Sequence, residues 1–297
     1  MKRMNCKEAP GLVGCPEMWK PVYDRYRPLF DTAVKSLSIS NEIMAQCGFA
    51  GGVELVTRKG TFTSGVALTV CRMVLAASNT FGALQTLVLN GYGSDALRLS
   101  RSIYETELNV FWLKEHPEDI EDFLGYRAIQ LKQRFDQMDE ERRKLVPKEI
   151  AAEILADYAS SLPRFVKPGK TKPRREWCRV SLRDRAAEHE GLLRLHLTYY
   201  PMVSSIHHGD IQGLTAQFDT EGKMDMAPSW SHLGTALVSG LGSFLRCLND
   251  FDEITRLGFG DRLELVLEDY VAALKATASR HEDKDQGADQ EILPSGP

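Results

Sequence analysis

At 297 residues, with 43% hydrophobic and 26% charged side chains, the chain is long enough for one large domain or two small ones and can bury a sizeable core. Thirty-seven basic against 41 acidic side chains leave a formal net charge of -4, which excludes binding to nucleic acid by bulk electrostatics; any basic site must be local. Six cysteines, at 6, 15, 47, 71, 178 and 247, include no C-x-x-C pair, a spread that suits reduced, buried thiols of a cytoplasmic protein better than disulfides or a metal site.

Met1 to Lys7 carries Lys2 and Arg3 with no apolar stretch behind them, so no secretory signal is expected. A first helix is predicted from about Glu17 to Cys47, with Pro21 near its start, Gly48 beyond its end and Pro28 as a point of kinking or breakage. The Gly- and β-branched-rich stretch 48–65 reads as a loop or short hairpin. A long apolar helix follows over roughly Ser64–Leu89. Its stretch 73–94 has the length of a membrane span, but Ser78, Asn79, Thr80, Gln85, Thr86 and Asn90 interrupt it, and a central buried helix is expected. The turn Asn90-Gly91-Tyr92-Gly93 closes it, and Ser94 or Asp95 is the expected cap of the next helix, about 95–115, which stops before Pro117.

Residues 117–145 read as a charged helix with Leu124, Ile129, Leu131, Phe135 and Met138 as its buried contacts. Pro147 starts another, 147–160, with Ile150, Ile154, Leu155 and Tyr158 at helical spacing. A proline- and lysine-rich loop spans 161–176, further helices fall near 181–208, 229–257 and 260–280, and the polar tail from about His281 to Pro297 is expected to be disordered. The fold class is therefore all-α, a bundle of about seven or eight helices. It is organised as an N-terminal helix and loop over 1–63, a helical core domain over 64–280, and a tail over 281–297.

A Gly-rich phosphate loop followed by Lys, a G-x-S-x-G elbow and an H-E-x-x-H pair are all absent. Three features carry potential chemistry. On the helix at 95–115, Arg98, Arg101, Glu105 and Asn109 fall on one narrow stripe, with Leu97, Ile103, Tyr104, Leu108 and Phe111 opposite. Arg101 and Glu105 stand at i and i+4. The pair is either an ordinary ion pair on a solvated face or one lining a cleft, where low dielectric strengthens its grip on an anion. The second feature is the run from Tyr199 to Asp210. Its adjacent His207 and His208 point to different sides of a helix, and Gly209 is a natural C-cap. His208 either caps orphan carbonyls or serves as a general acid–base oriented by Asp210 or Ser204. The third is the basic loop Arg164, Lys167, Lys170, Lys172, Arg174 and Arg175, either a solvated loop or a contact for phosphate backbones.

The run R-L-S-R-S-I-Y-E-T-E, followed about a hundred residues later by Y-x-x-x-S-S-I-H-H-G, resembles domain-of-unknown-function family 5677, a bacterial helical family, over roughly Val66 to Ile211. The family's R-S-x-x-E element is matched by Arg101, Ser102 and Glu105, and its S-x-x-x-H element by Ser204 and His208. A looser similarity is to the HEPN superfamily, helical bundles that include RNA-cleaving toxins and phage-defence proteins. Ile206-His207-His208-Gly209 looks like the end of that family's motif and Ser204 holds its polar position. Val203 stands where its Arg would be, so catalysis requires Arg98 or Arg101 to supply a guanidinium from another helix.

Two readings follow. One is a non-catalytic helical module that binds a partner protein, a second copy of itself or a small anion, in bacterial defence or stress response. The other is a metal-independent HEPN-like endoribonuclease acting on RNA, with His208 as acid–base, Arg101 meeting phosphate charge and Glu105 holding Arg101. Neither implies a metal, a cofactor or a membrane.

Overall fold

In the computed structural model the described residues are 16–49, 55–57, 60–62, 64–210, 213 and 228–285. They form eleven α-helices, one 3-10 turn and a two-stranded antiparallel hairpin, more helices than the seven or eight predicted. Helix α1 is Pro16–Phe49; the strands β1, Leu55–Thr57, and β2, Gly60–Phe62, pair in the stretch read as loop or hairpin. Helix α2 is Ser64–Leu89 and α3 is Gly93–Glu115. After the 3-10 turn Pro117–Asp119 come α4, Ile120–Gln137, α5, Glu140–Lys144, and α6, Lys148–Phe165. Then follow α7, Leu182–Ala186, α8, Glu190–Thr198, α9, Tyr200–His208, α10, Leu233–Thr255, and α11, Gly260–Asp285.

The additional helices come from breaks inside two stretches read as continuous. Within 117–145, Met138 turns extended and Asp139 restarts the chain as an N-cap, its carboxylate accepting the Arg142 N–H at 2.8 Å. Within 181–208, His189 is extended between α7 and α8, and Pro201 in the first turn of α9 forces a new start. Elsewhere α6 runs through Pro163 to Phe165, shortening the expected loop, and α3 starts at Gly93 with no side-chain cap from Ser94 or Asp95. Helix α11 continues to Asp285, so residues 281–285 are helical where a disordered tail was expected, and the rest of that expectation, 286–297, lies outside the described residues.

The core forms where α2, α3 and α10 meet, with α1 and α11 packed alongside. Phe81 of α2 stacks on Phe244 of α10 with ring centroids 4.8 Å apart. Gly240 lets α10 close on α2, since a Cβ there would stand 2.6 Å from a Leu84 methyl carbon. Pro28 kinks α1, whose backbone leaves helical geometry at Tyr26. Helix α2, expected as a central buried helix, buries one face, Val74, Ala77, Phe81, Leu84 and Val88, in the core and exposes Leu75 on the other. Among the described residues no helix is long and apolar enough to cross a membrane. Helices α4 and α6 pair at the margin; there Tyr126 and Ile129 are buried, while Ile150 and Leu155 are exposed.

Helix α3 is the axis of the molecule. Along its length only Ser102 is exposed, the other residues being buried or partly buried. One side faces α2 and α10, and the other is covered by the short helices α7, α8 and α9. Tyr104, Leu108 and Phe111 are buried as expected, but within a second small core shared with Ala186 and Leu192 rather than with α2.

Candidate functional site

The polar stripe of α3 is where α7–α9 dock. Arg98 donates through Nε to the Ile206 carbonyl at 3.2 Å, occupying an orphan acceptor in the last turn of α9, and also pairs with Asp95. Asn109 accepts Nη1 of Arg185 at 2.6 Å. Arg185 is 2% exposed, reaches Glu176 at 3.3 Å and lies over the Trp177 ring, so it ties α7 to α3. Both ends of the stripe are therefore structural, and burial pulls the Arg185 pKa down.

The middle of the stripe builds a site. Arg101 donates through Nε to Glu105 Oε1 at 2.7 Å and through Nη2 to the Tyr200 hydroxyl at 3.2 Å, and its Nη1 meets Nε2 of His208 at 3.1 Å. Tyr200 in turn donates to Glu105 Oε1 at 2.9 Å, closing a ring of contacts between α3 and α9. An arginine has no acceptor, so its contact to His208 requires a lone pair on Nε2 and hence the Nδ1–H tautomer. Arg101 also lies over the Tyr200 ring at 5.2 Å, and His196 stacks on that ring at 4.7 Å.

Burial works against the charge of Arg101, but the Glu105 carboxylate outweighs it and holds the arginine pKa above its ordinary value. Burial and the same carboxylate push the Tyr200 phenol up to about 12, so it keeps its proton. Partial burial lowers the pKa of His196, with the Arg183 cation acting in the same direction. At the rim, His207 is exposed and is lowered by desolvation and by Arg101. His208 is exposed too.

Arg101, Glu105 and His208 thus converge within hydrogen-bond reach. Backbone geometry, rather than the His208 ring, caps α9: Gly209 takes φ 62° and its N–H bonds the Ser205 carbonyl. Ser204 is half-buried on α9, and Asp210 accepts the Gly213 N–H at 2.9 Å. Tyr200 and His196 were not singled out from the sequence. The signal was available, because residues 200, 204 and 208 follow one another at i+4 on one helix face. The neighbouring Tyr199 turns the other way: buried, it accepts from Ser239 of α10 at 2.8 Å and meets Ser100 of α3.

Two of the six basic residues of the loop are committed to structure. Arg164 donates to Asp122 Oδ1 at 2.8 Å and Arg174 to Asp122 Oδ2 at 2.8 Å, so both clamp one buried carboxylate. Lys170, Lys172 and Arg175 are exposed. A recess of about 450 Å³ lies beside them, lined by Arg164, Lys167, Arg174, Arg175 and Arg179 among others.

Comparison with protein-family models finds a match over residues 68–225, just over half of the chain, to a model described as "Family of unknown function (DUF5677)". The matched span runs from α2 through α9 and contains every residue of the Arg101–Tyr200–His208 cluster. Neither the curated proteins nor the solved structures include a match.

Proposed function

We propose, for a chain that belongs to the DUF5677 family and takes no assigned activity from it, that the protein is a helical binding module whose site receives a small anion or an anionic group of a partner on Arg101 and His208. The observation that carries this reading is the 3.1 Å contact between the Arg101 guanidinium and the exposed His208 ring. Glu105 and Tyr200 fix Arg101 from behind, so its planar donor edge is held in one orientation before an anion arrives. An incoming oxyanion takes over Nη1 of Arg101 from His208.

The same contact favours a second reading, metal-independent cleavage of RNA, because it sets an acid–base group beside a cation able to meet phosphate charge. That chemistry needs one group to take the 2′-hydroxyl proton and another to protonate the leaving oxygen. Tyr200, pushed up to about 12, is poorly suited to give up its proton, which leaves the binding reading the stronger.

Calorimetric titration with inorganic phosphate and with a short single-stranded RNA tests both. Wild-type protein is expected to bind, and Arg101→Ala and His208→Ala to lose at least about tenfold in affinity, the scale of a charge-assisted hydrogen bond. RNA cleavage by wild type above that of His208→Ala establishes the second reading instead. Absence of both binding and cleavage in the wild-type protein rejects the site.

A further inference from the structure

The basic stretch after α6 is a folded element. Val166 and Pro173 bridge as antiparallel partners, the Arg174 N–H donates to the Phe165 carbonyl at 2.8 Å, and the Lys170 N–H closes on the Lys167 carbonyl at 2.9 Å. Lys167-Pro168-Gly169-Lys170 is therefore a tight turn, with proline at its second position and Gly169 at φ 74° at its third, the pattern of type II. Beyond it Arg174 pins the backbone, donating through Nε to the Glu176 carbonyl at 3.0 Å and through Nη2 to that of Trp177. The Trp177 ring packs edge-on against Phe123. These two segments and the end of α6 wall the recess of about 450 Å³, a volume in the range of small-molecule pockets, roughly 300–1,000 Å³.

The charges around the recess divide into two sets. Arg164 and Arg174 share the buried Asp122, and Glu176, the one carboxylate on the walls, reaches Arg185 at 3.3 Å, so these groups answer one another. Lys167, Arg175 and Arg179 also line the recess; they are exposed, and their side chains make no hydrogen bond or ion pair with any described residue. Three cations without an anion thus border one concavity, Lys167 on the turn and the two arginines on the segment that returns from it. An anion charged at several points along its length can meet all three, whereas a single compact anion cannot. The aromatic residues of this stretch are withdrawn: Phe165 is buried with Arg174 over its ring, and Trp177 is buried, so neither offers the stacking face on which readers of single-stranded nucleic acid rely.

We infer that this recess is a binding site for a small condensed phosphate, a chain of two or more phosphate groups either free or carried on a nucleotide. Lys167, Arg175 and Arg179 receive successive phosphate groups, and the shared clamp on Asp122 keeps the Arg164 and Arg174 walls in place beside them.

Isothermal titration with tripolyphosphate tests this, run on the full chain carrying Arg101→Ala so that the site of Arg101 and His208 does not contribute and failure of either proposal leaves the other readable. Tripolyphosphate is expected to bind saturably at one site, with inorganic phosphate weaker by at least about tenfold. Adding Arg175→Gln or Arg179→Gln is expected to lower tripolyphosphate affinity by a similar factor with an unchanged melting temperature, since neither side chain has a partner to lose. Lys148→Gln removes an exposed, unpaired cation of α6 outside the recess and is expected to leave binding unchanged. Adenosine triphosphate distinguishes the sources: equal affinity assigns the free chain and tighter binding the nucleotide, and both uphold the site. Absence of tripolyphosphate binding, equal affinity for inorganic phosphate, full binding by both arginine variants, or an equal loss in Lys148→Gln overturns the proposal. Tighter binding of a short oligouridine than of tripolyphosphate also overturns it and makes the stretch a strand-binding surface.

Discussion

Helix α3 supplies the glutamates of two arginine–glutamate pairs of the same chemistry in opposite settings. Glu107 faces α10, is 0% exposed, and is met by Arg246, whose side chain is 35% exposed; Arg101 is 14% exposed, and its partner Glu105 is 34% exposed. In the first pair the anion is buried and the cation is the accessible end, so the pair fixes the packing of α3 on α10. In the second the cation is enclosed and hydrogen-bonded by Glu105 and Tyr200, with the exposed His208 at its remaining edge. Burial of the whole pair matters less than which member of it water can reach. That member decides what each pair offers a ligand.

The comparison breaks most sharply at Glu107. Glu107→Gln is expected to cost about 3 kcal/mol, the lower end for removing one partner of a buried pair, because Arg246 is left where water reaches it. A urea melt superimposing on that of wild type would make the two pairs equivalent. Arg101→Ala is the counterpart: a loss of about 1 kcal/mol or less is expected, since Glu105 is left where water can solvate it, while phosphate binding is lost. A loss as large as that of Glu107→Gln would turn the Arg101 pair into a structural one.

The smallest expected effect is a pH dependence on the α8–α9 side. The folded pKa of His196 lies below its ordinary 6.5, so the unfolded chain binds more protons in the interval beneath that value. Its contribution to stability is therefore complete above pH 6.5 and declines as pH falls toward the folded pKa. Asp250, pushed up to about 6 by burial, acts in the opposite sense, its folded form binding the extra proton from about pH 4 to 6. The difference between wild-type and His196→Gln melts across pH 5–8 isolates the histidine, and a difference that does not vary with pH removes it from the account.

Long periodic segments are legible in the sequence because their local and tertiary preferences agree. Helix α2 occupies the predicted Ser64–Leu89, and the turn at Gly91 and Gly93 falls where expected. The breaks at Met138 and His189 are less legible, since the short helices beside them, capped by Asp139 and Ser181, share the composition of the charged helices around them. In the site, the i and i+4 spacing makes Arg101–Glu105 legible, and Ser204 and His208 fall on the helix that meets it. Their convergence with Tyr200 depends on α9 crossing α3, a relation between segments about 100 residues apart that local pattern does not encode. Glu107 was passed over for the same reason: in the sequence it resembles any other helical glutamate, and only α10 makes it a buried one.

Tyr199 and Tyr200 are consecutive in the chain yet look into different compartments, the first toward Ser239 of α10 and the second toward Arg101. If a change in the packing of α10 shifts Tyr199 against Ser239 and Ser100, and thereby changes the affinity of the Arg101 site by some factor, the anion changes the equilibrium of that packing by the same factor. The one-residue step between the tyrosines makes the α8–α9 junction a direct path by which the α10 contact and the Arg101 site can exchange free energy.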